Sequence, residues 1–271
     1  ATYIGGNNDE FAAGYPKEGS NSLTIDNQDN IIISGNSYSN QTTNIAYNGF
    51  QNTSYPGYYS SIPFLVKFNS SGTRLWGTYY GLAQFLYFNS FSINASSCIS
   101  DNNNNIYLLG NTNCQGSIIG INNSYPQFTT ANSYQASCNC SQNQFSGGIT
   151  SDQYGFIIKF DPTGIRTFGT YVPGVNTING ASIDSLNNLT IIGESNTNTS
   201  SLIATNNAIQ MNIGGATDIY IMKFDSLGQR IWGSFLGGTN NETGYDICSN
   251  NDYTFYISGR SYSPRSEEHT S

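Results

Sequence analysis

One segment of this chain occurs three times, and a chain built from repeats has few folds open to it. Residues 63–81 read PFLVKFNSSGTRLWGTYYG, residues 154–174 read YGFIIKFDPTGIRTFGTYVPG and residues 218–238 read DIYIMKFDSLGQRIWGSFLGG. In each copy an apolar run reaches Lys-Phe (Lys67, Lys159, Lys223) and is followed by Asn69, Asp161 or Asp225. A glycine (Gly72, Gly164, Gly228) stands three residues further on, and an arginine (Arg74, Arg166, Arg230) two beyond that. Two apolar stretches around a short polar turn make a β-hairpin. The Asx side chain caps the turn, and the glycine supplies the positive φ of a type I turn followed by a bulge. The recurrence of Lys67, Lys159 and Lys223 in every copy points to a framework role, an ion pair or backbone contact within each unit, rather than to a ring of substrate-binding cations.

A second strand–turn–strand element precedes each hairpin, at residues 22–37, 96–112 and 182–195, and a fourth copy occupies 245–261. These copies close on Gly35, Gly110, Gly193 and Gly259. Asp26, Asp101 and Asp184 end first strands at Asx-rich turns. Such turns invite a calcium reading, but they lack the central glycine and distal glutamate of an EF-hand loop, so capping is the expectation and no metal or other cofactor is assigned. Two hairpins per unit give a four-stranded antiparallel sheet, and a radial row of such sheets is a β-propeller. Runs such as Ile31–Ile33 and Phe156–Ile158 are apolar without alternation, which fits sheets covered on both faces better than a half-exposed sandwich. The fold expected is all-β: a partial β-propeller with three complete blades and parts of two others, in an open arc.

The closing strings Thr2-YIGG, Thr78-YYG, Thr170-YVPG and Ser234-FLGG, taken with the Lys-Phe-Asx-x-x-Gly hairpin, resemble the bacterial SBBP-type seven-bladed β-propeller repeats. The resemblance extends to about residue 264. It implies a large secreted or cell-surface protein with adhesive or sorting modules attached. The long inserts of the second blade depart from that pattern. On this reading the blades lie at about 20–81, 92–173 and 179–238, with a partial blade at 243–260 and residues 1–6 as the last strand of a preceding blade. The remaining blades of the same polypeptide are then the expected partners of both ends. The tail at 265–271 holds the only histidine, His269, and resembles the translation of a sequencing adapter. It is expected to be non-native, the alternative being an ordinary polar terminus.

Composition narrows the function classes. Only 10% of the 271 residues are charged, and the net charge of −8 reflects a scarcity of Lys and Arg. The nine basic residues are scattered, which excludes a nucleic-acid surface. No apolar run approaches the ~18 residues of a membrane span. Catalysis finds no support in the motifs. There is no histidine outside the tail, no nucleophile elbow and no phosphate-binding loop. The reading is a non-enzymatic extracellular scaffold or adhesion module that binds glycan or protein. The alternative is a secreted glycan-active hydrolase whose carboxylates lie partly in the missing blades.

The two turns of each blade share one side of such a wheel, while the connections at about 36–62, 82–93, 111–154 and 194–217 share the other and vary. Ligand contact is expected there. Tyr55, Tyr58, Tyr59, Tyr125, Phe128 and Tyr134 are the candidates, because aromatic rings stack on sugar faces while Asn and Gln bind hydroxyls; the competing role is to pin long loops to the scaffold. Of five cysteines, Cys114, Cys138 and Cys140 lie in or beside the longest insert, where a bridge from Cys114 to one of the other two staples it. Cys98 and Cys248 fall at similar places in first strands and are expected as buried thiols.

Overall fold

The computed structural model describes residues 4–5, 9–12, 22–39, 45–53, 61–81, 93–113, 128–138, 153–197, 199–250 and 254–264. These residues form an all-β structure of antiparallel sheets, with no α-helix among them. The first sheet holds β1 (Glu10–Ala12), β2 (Leu23–Ile25), β3 (Ile31–Ser37), β4 (Ile62–Phe68) and β5 (Arg74–Tyr79). The second holds β6 (Ile93–Ser100), β7 (Ile106–Asn113), β8 (Gln153–Phe160) and β9 (Arg166–Val172). In the third are β10 (Thr177–Ile183), β11 (Leu189–Ser195), β12 (Asp218–Phe224) and β13 (Arg230–Leu236). The fourth is the hairpin β14 (Glu242–Ser249) and β15 (Phe255–Ser261).

Within the second and third sheets the strands pair in chain order, as two hairpins laid side by side. The first sheet differs in one respect: β1 and β2 both pair with β3, one after the other along the same edge. Ala12 stands opposite Gly35 and Leu23 opposite Ile33, and the Ser22 carbonyl accepts from the Ser34 N–H, so the two strands fill a single column that the chain from 13 to 21 interrupts. The other first strands carry a bulge at that place, between Ala95 and Ser97, Ile178 and Gly180, and Gly244 and Asp246. A bulge already leaves a residue unpaired and bends the strand, so a longer insertion there costs few ladder hydrogen bonds. The sheet thus starts ahead of residue 20, with Glu10.

Successive sheets pack face to face. Ile32, Leu65 and Trp76 of the first meet Cys98, Leu108 and Phe160 of the second. Tyr107, Leu109 and Phe168 of the second meet Ile191, Met222 and Phe224 of the third. Ile192, Ile219 and Ile221 of the third meet Ile247 of the fourth. A middle strand is therefore apolar on both faces, which is why β8 and β12 read as unbroken runs. Close backbone approach between sheets runs through the first strands β6, β10 and β14, and the outermost strands β5, β9 and β13 do not share it. Large rings take up the separation further out: Trp76 and Phe168 lie beneath the Gly164 and Gly228 turns of the next sheet.

Candidate functional site

The turns of the first three sheets share one construction. In the second hairpins Gly72, Gly164 and Gly228 adopt φ of 82°, 91° and 82°. In the first hairpins the equivalent place is filled by Asp29, Asn104 and Asn187, at φ of 59°, 62° and 61°. Both residue classes tolerate the left-handed region, but each is used for a separate reason. A Cβ on Gly164 or Gly228 would lie 2.8 Å from an atom of the Trp76 or Phe168 ring, so only glycine fits. On the first hairpins a side chain is required: the Asn27 N–H donates to Asn104 Oδ1, and the Asn102 N–H donates to Asn187 Oδ1, both at 2.9 Å. Those two bonds tie the first sheet to the second and the second to the third.

Beneath these turns lies a repeated buried ion pair. Lys67 Nζ is 2.8 Å from Asp26, Lys159 Nζ 3.1 Å from Asp101, and Lys223 Nζ 2.8 Å from Asp184. Each aspartate also accepts an Asn side chain, from Asn30, Asn105 or Asn188, and two N–H groups of its own turn. Burial alone would push the Asp26 and Asp184 carboxyls up. The lysine ammonium, the Asn amide and the turn N–H groups outweigh it and hold both below the usual carboxylate range. The lysine then reaches the neighbouring sheet, where Lys67 donates to the Pro162 carbonyl at 3.4 Å and Lys159 to the Ser226 carbonyl at 3.2 Å. Trp76 Nε1 donates to the same Pro162 oxygen at 3.0 Å. Carboxylates so fully engaged hold the framework, and the described residues bring no group of three His, Cys, Asp or Glu side chains into a cluster fit for a metal ion.

Along the outer edge of the first three sheets, a second repeat lies inside the connections that sequence reading treats as variable. Residues 45–51, 128–135 and 203–210 run along the outermost strand of their own sheet. Tyr47 exchanges two backbone hydrogen bonds with Gly77, while the N–H groups of Thr130 and Thr205 donate to Gly169 and Gly233. Each segment ends in glutamine. The N–H of Gln51, Gln135 or Gln210 donates to the hydroxyl of Thr78, Thr170 or Ser234, and its carbonyl accepts from Tyr79, Tyr171 or Phe235. Arg74, Arg166 and Arg230 fasten the start of each segment by donating to the carbonyls of Ile45, Phe128 and Leu202. The glycines that follow Trp76 and Trp232 are explained by this approach: a Cβ on Gly77 would fall 2.1 Å from the Ile45 oxygen, and one on Gly233 2.1 Å from that of Ile203. The recurring glutamine, upstream of every Lys-Phe hairpin, was the available signal.

The candidate aromatics divide accordingly. Phe128 belongs to the covering segment: its ring stacks on Tyr171 at 4.8 Å and meets Tyr80 edge-on at 5.2 Å, and its carbonyl accepts from the Tyr80 hydroxyl. Burial, partly offset by the Arg166 guanidinium, pushes the Tyr80 phenol up to about 12. Tyr134 sits edge-on to Phe224 at 5.6 Å, under the Arg230 guanidinium, with its hydroxyl donating to Leu202 O. Both rings are half-buried anchors of their loops. Tyr55, Tyr58, Tyr59 and Tyr125 lie outside the described residues, as do Cys114 and Cys140. Cys138 is disulfide-bonded.

Cys98 is buried as expected, and burial pushes its thiol up to about 11. Cys248 is exposed, a correction to the expectation of burial. Cys98 stands opposite Leu108, two residues before Gly110, whereas Cys248 stands opposite Tyr256, three before Gly259. That single-residue offset reverses the face to which a strand side chain points. Asp246 is the remaining carboxyl of note: burial pushes it up, and the Ile247 N–H 2.8 Å away offsets only part. The chain matches no protein-family model and no curated protein.

Proposed function

We propose that the chain is a propeller-type array, akin to the SBBP repeats it resembles, that serves as an extracellular scaffold or adhesion module and binds glycan or protein through the connections opposite its turns. The observation that carries this reading is the unlikeness of the two sides. On the turn side the first three sheets repeat the same Lys–Asp–Asx lattice, and its polar groups are spent on one another. On the other side the covering segments are constant, and the chain between them and the strands differs in length and content from sheet to sheet. A constant frame that displays unequal segments is the form of a recognition module. Sheet contact through first strands, with rings filling the outer gap, is what radial rather than parallel stacking requires.

A glycan-array screen of the chain, run beside a hydrolysis assay on the sugars retained, tests the reading. Binding without turnover is expected, and replacement of 54–60 or 121–127 by Gly-Ser segments should abolish it while leaving the melting temperature in place. The hydrolase alternative has one observation in its favour: burial pushes the Asp246 carboxyl up, the direction a general acid needs. Turnover that disappears in Asp246→Asn would favour it and overturn the binding reading.

A further inference from the structure

The covering segments are joined to one another across both joints between the first three sheets, and by one construction. Between the first and second sheets, the Arg166 guanidinium of β9 lies 4.6 Å from the ring centre of Phe50, in the covering segment of the first sheet. The same guanidinium donates to the Phe128 carbonyl, where the covering segment of its own sheet begins, at 3.2 Å. It also donates to the hydroxyl of Tyr80, directly after β5, at 2.8 Å, and Tyr80 donates in turn to the Phe128 carbonyl. Between the second and third sheets Arg230 of β13 repeats the arrangement. Its guanidinium lies 5.4 Å from the ring centre of Tyr134, in the second covering segment, and donates at 2.7 Å to the Leu202 carbonyl, just ahead of the third. Here one residue supplies both ring and hydroxyl, since Tyr134 itself donates to Leu202 O at 3.3 Å. Each clasp is an arginine between a ring of the preceding covering segment and a carbonyl of the following one, with a phenol of the preceding sheet on that same carbonyl.

We infer that Arg166 and Arg230 are positioning residues that couple neighbouring connections across the joints, so that a ligand meets one surface spanning the first three sheets rather than separate loops. The clasp stands at the roots of the segments to which the binding reading assigns the ligand. The stretch 54–60 leaves the first covering segment just beyond Phe50, and 121–127 runs directly into Phe128. A guanidinium can hold both roots at once, because its face takes the ring while its edge donates to the carbonyl and the phenol. Displacing either root shifts the shared arginine and with it the other root. Such coupling is a free energy between two sites, so it acts equally in both directions. The role of the surface rests on the binding reading, whereas the coupling is measured without any ligand.

Native-state amide exchange of the intact chain is the test. Phe50→Leu alters only the covering segment of the first sheet, yet it should speed exchange about tenfold at the Thr130 and Gln135 amides of the second, in line with loss of one desolvated cation–π contact. Amides of β7 and β8 should keep their protection. Arg166→Gln should have the same effect, and the double variant should go no further than either change alone, because both open one clasp. Arg166→Lys, which keeps a charge over the ring, should fall in between. Asn52→Ala serves as the control: it lies on the same covering segment, its side chain reaches only Gly49, and it should leave Thr130 and Gln135 as they are. Unchanged exchange at Thr130 and Gln135 in Phe50→Leu, a rise shared equally by β7 and β8, or additive effects in the double variant would overturn the inference. A chain that retains no glycan or protein but shows the exchange pattern would sink the binding reading and leave the coupling standing, so the two fail separately.

Discussion

At the scale of the residue, the ion pair under each turn is the feature most open to measurement. Removing one partner of a buried pair strands the other charge and costs about 3–5 kcal/mol. Lys67→Ala should therefore fall near that range in urea unfolding, and Lys223→Ala, more exposed and with one contact fewer, should cost clearly less. Asp26 and Asp184 titrate lower in the folded chain than unfolded, so the unfolded state binds the extra protons as acid is added. Their stabilisation is complete above a pH of about 4 and is lost as pH falls through their lowered folded values. Asp26→Asn and Asp184→Asn should flatten that acid limb. Tyr80 gives the opposite sign. With its folded value near 12, it favours the folded state below about pH 10, and that contribution fades as pH climbs through 12. The thiols separate in the same way by burial: a thiol reagent should label Cys248 in the native chain and Cys98 only on unfolding.

At the scale of the element, the turn glycines form a graded series. Alanine at Gly72 meets only backbone strain, of about 1–2 kcal/mol, since nothing lies within 4 Å of its Cβ position. Alanine at Gly164 or Gly228 adds a collision with a ring, for roughly 2–5 kcal/mol in all. Thermal unfolding of the three variants should rank them in that order. The hairpins were legible because their demands are local: Gly at positive φ, Asx at the cap, apolar runs on either side. The covering segments were not, because their partner is a strand more than twenty residues away and their constant residues, chiefly glutamine, carry no strand or turn signature. Cys248 shows the same limit in miniature. Its place in the first strand was readable, while its face turned on a one-residue difference in its distance from the turn and the closing glycine, which a resemblance of position passes over. For the loop aromatics, Phe128 proves to be held by Tyr171 of β9 and Tyr134 by Phe224 and Leu202 of the third sheet and its connection, contacts that exist only once the covering segment is in place.

At the scale of the whole molecule, one joint recurs between the first three sheets: an Asn bond between first turns, a lysine reaching a turn carbonyl, and a ring beneath a glycine. Sheets related by one joint repeat the same rotation, and the proposed propeller reading makes that rotation a fan, with the first strands on its inner side, where they touch. Paired spin labels measure the fan directly. In a Cys248→Ser background, one pair of labels goes on Gln28 and Leu186, at the tips of first hairpins in the first and third sheets. A second pair goes on Ser71 and Leu227, at the tips of the second hairpins of the same sheets. Radial stacking predicts that the Ser71–Leu227 distance clearly exceeds the Gln28–Leu186 distance. Equal distances would mean parallel layers and would contradict the account.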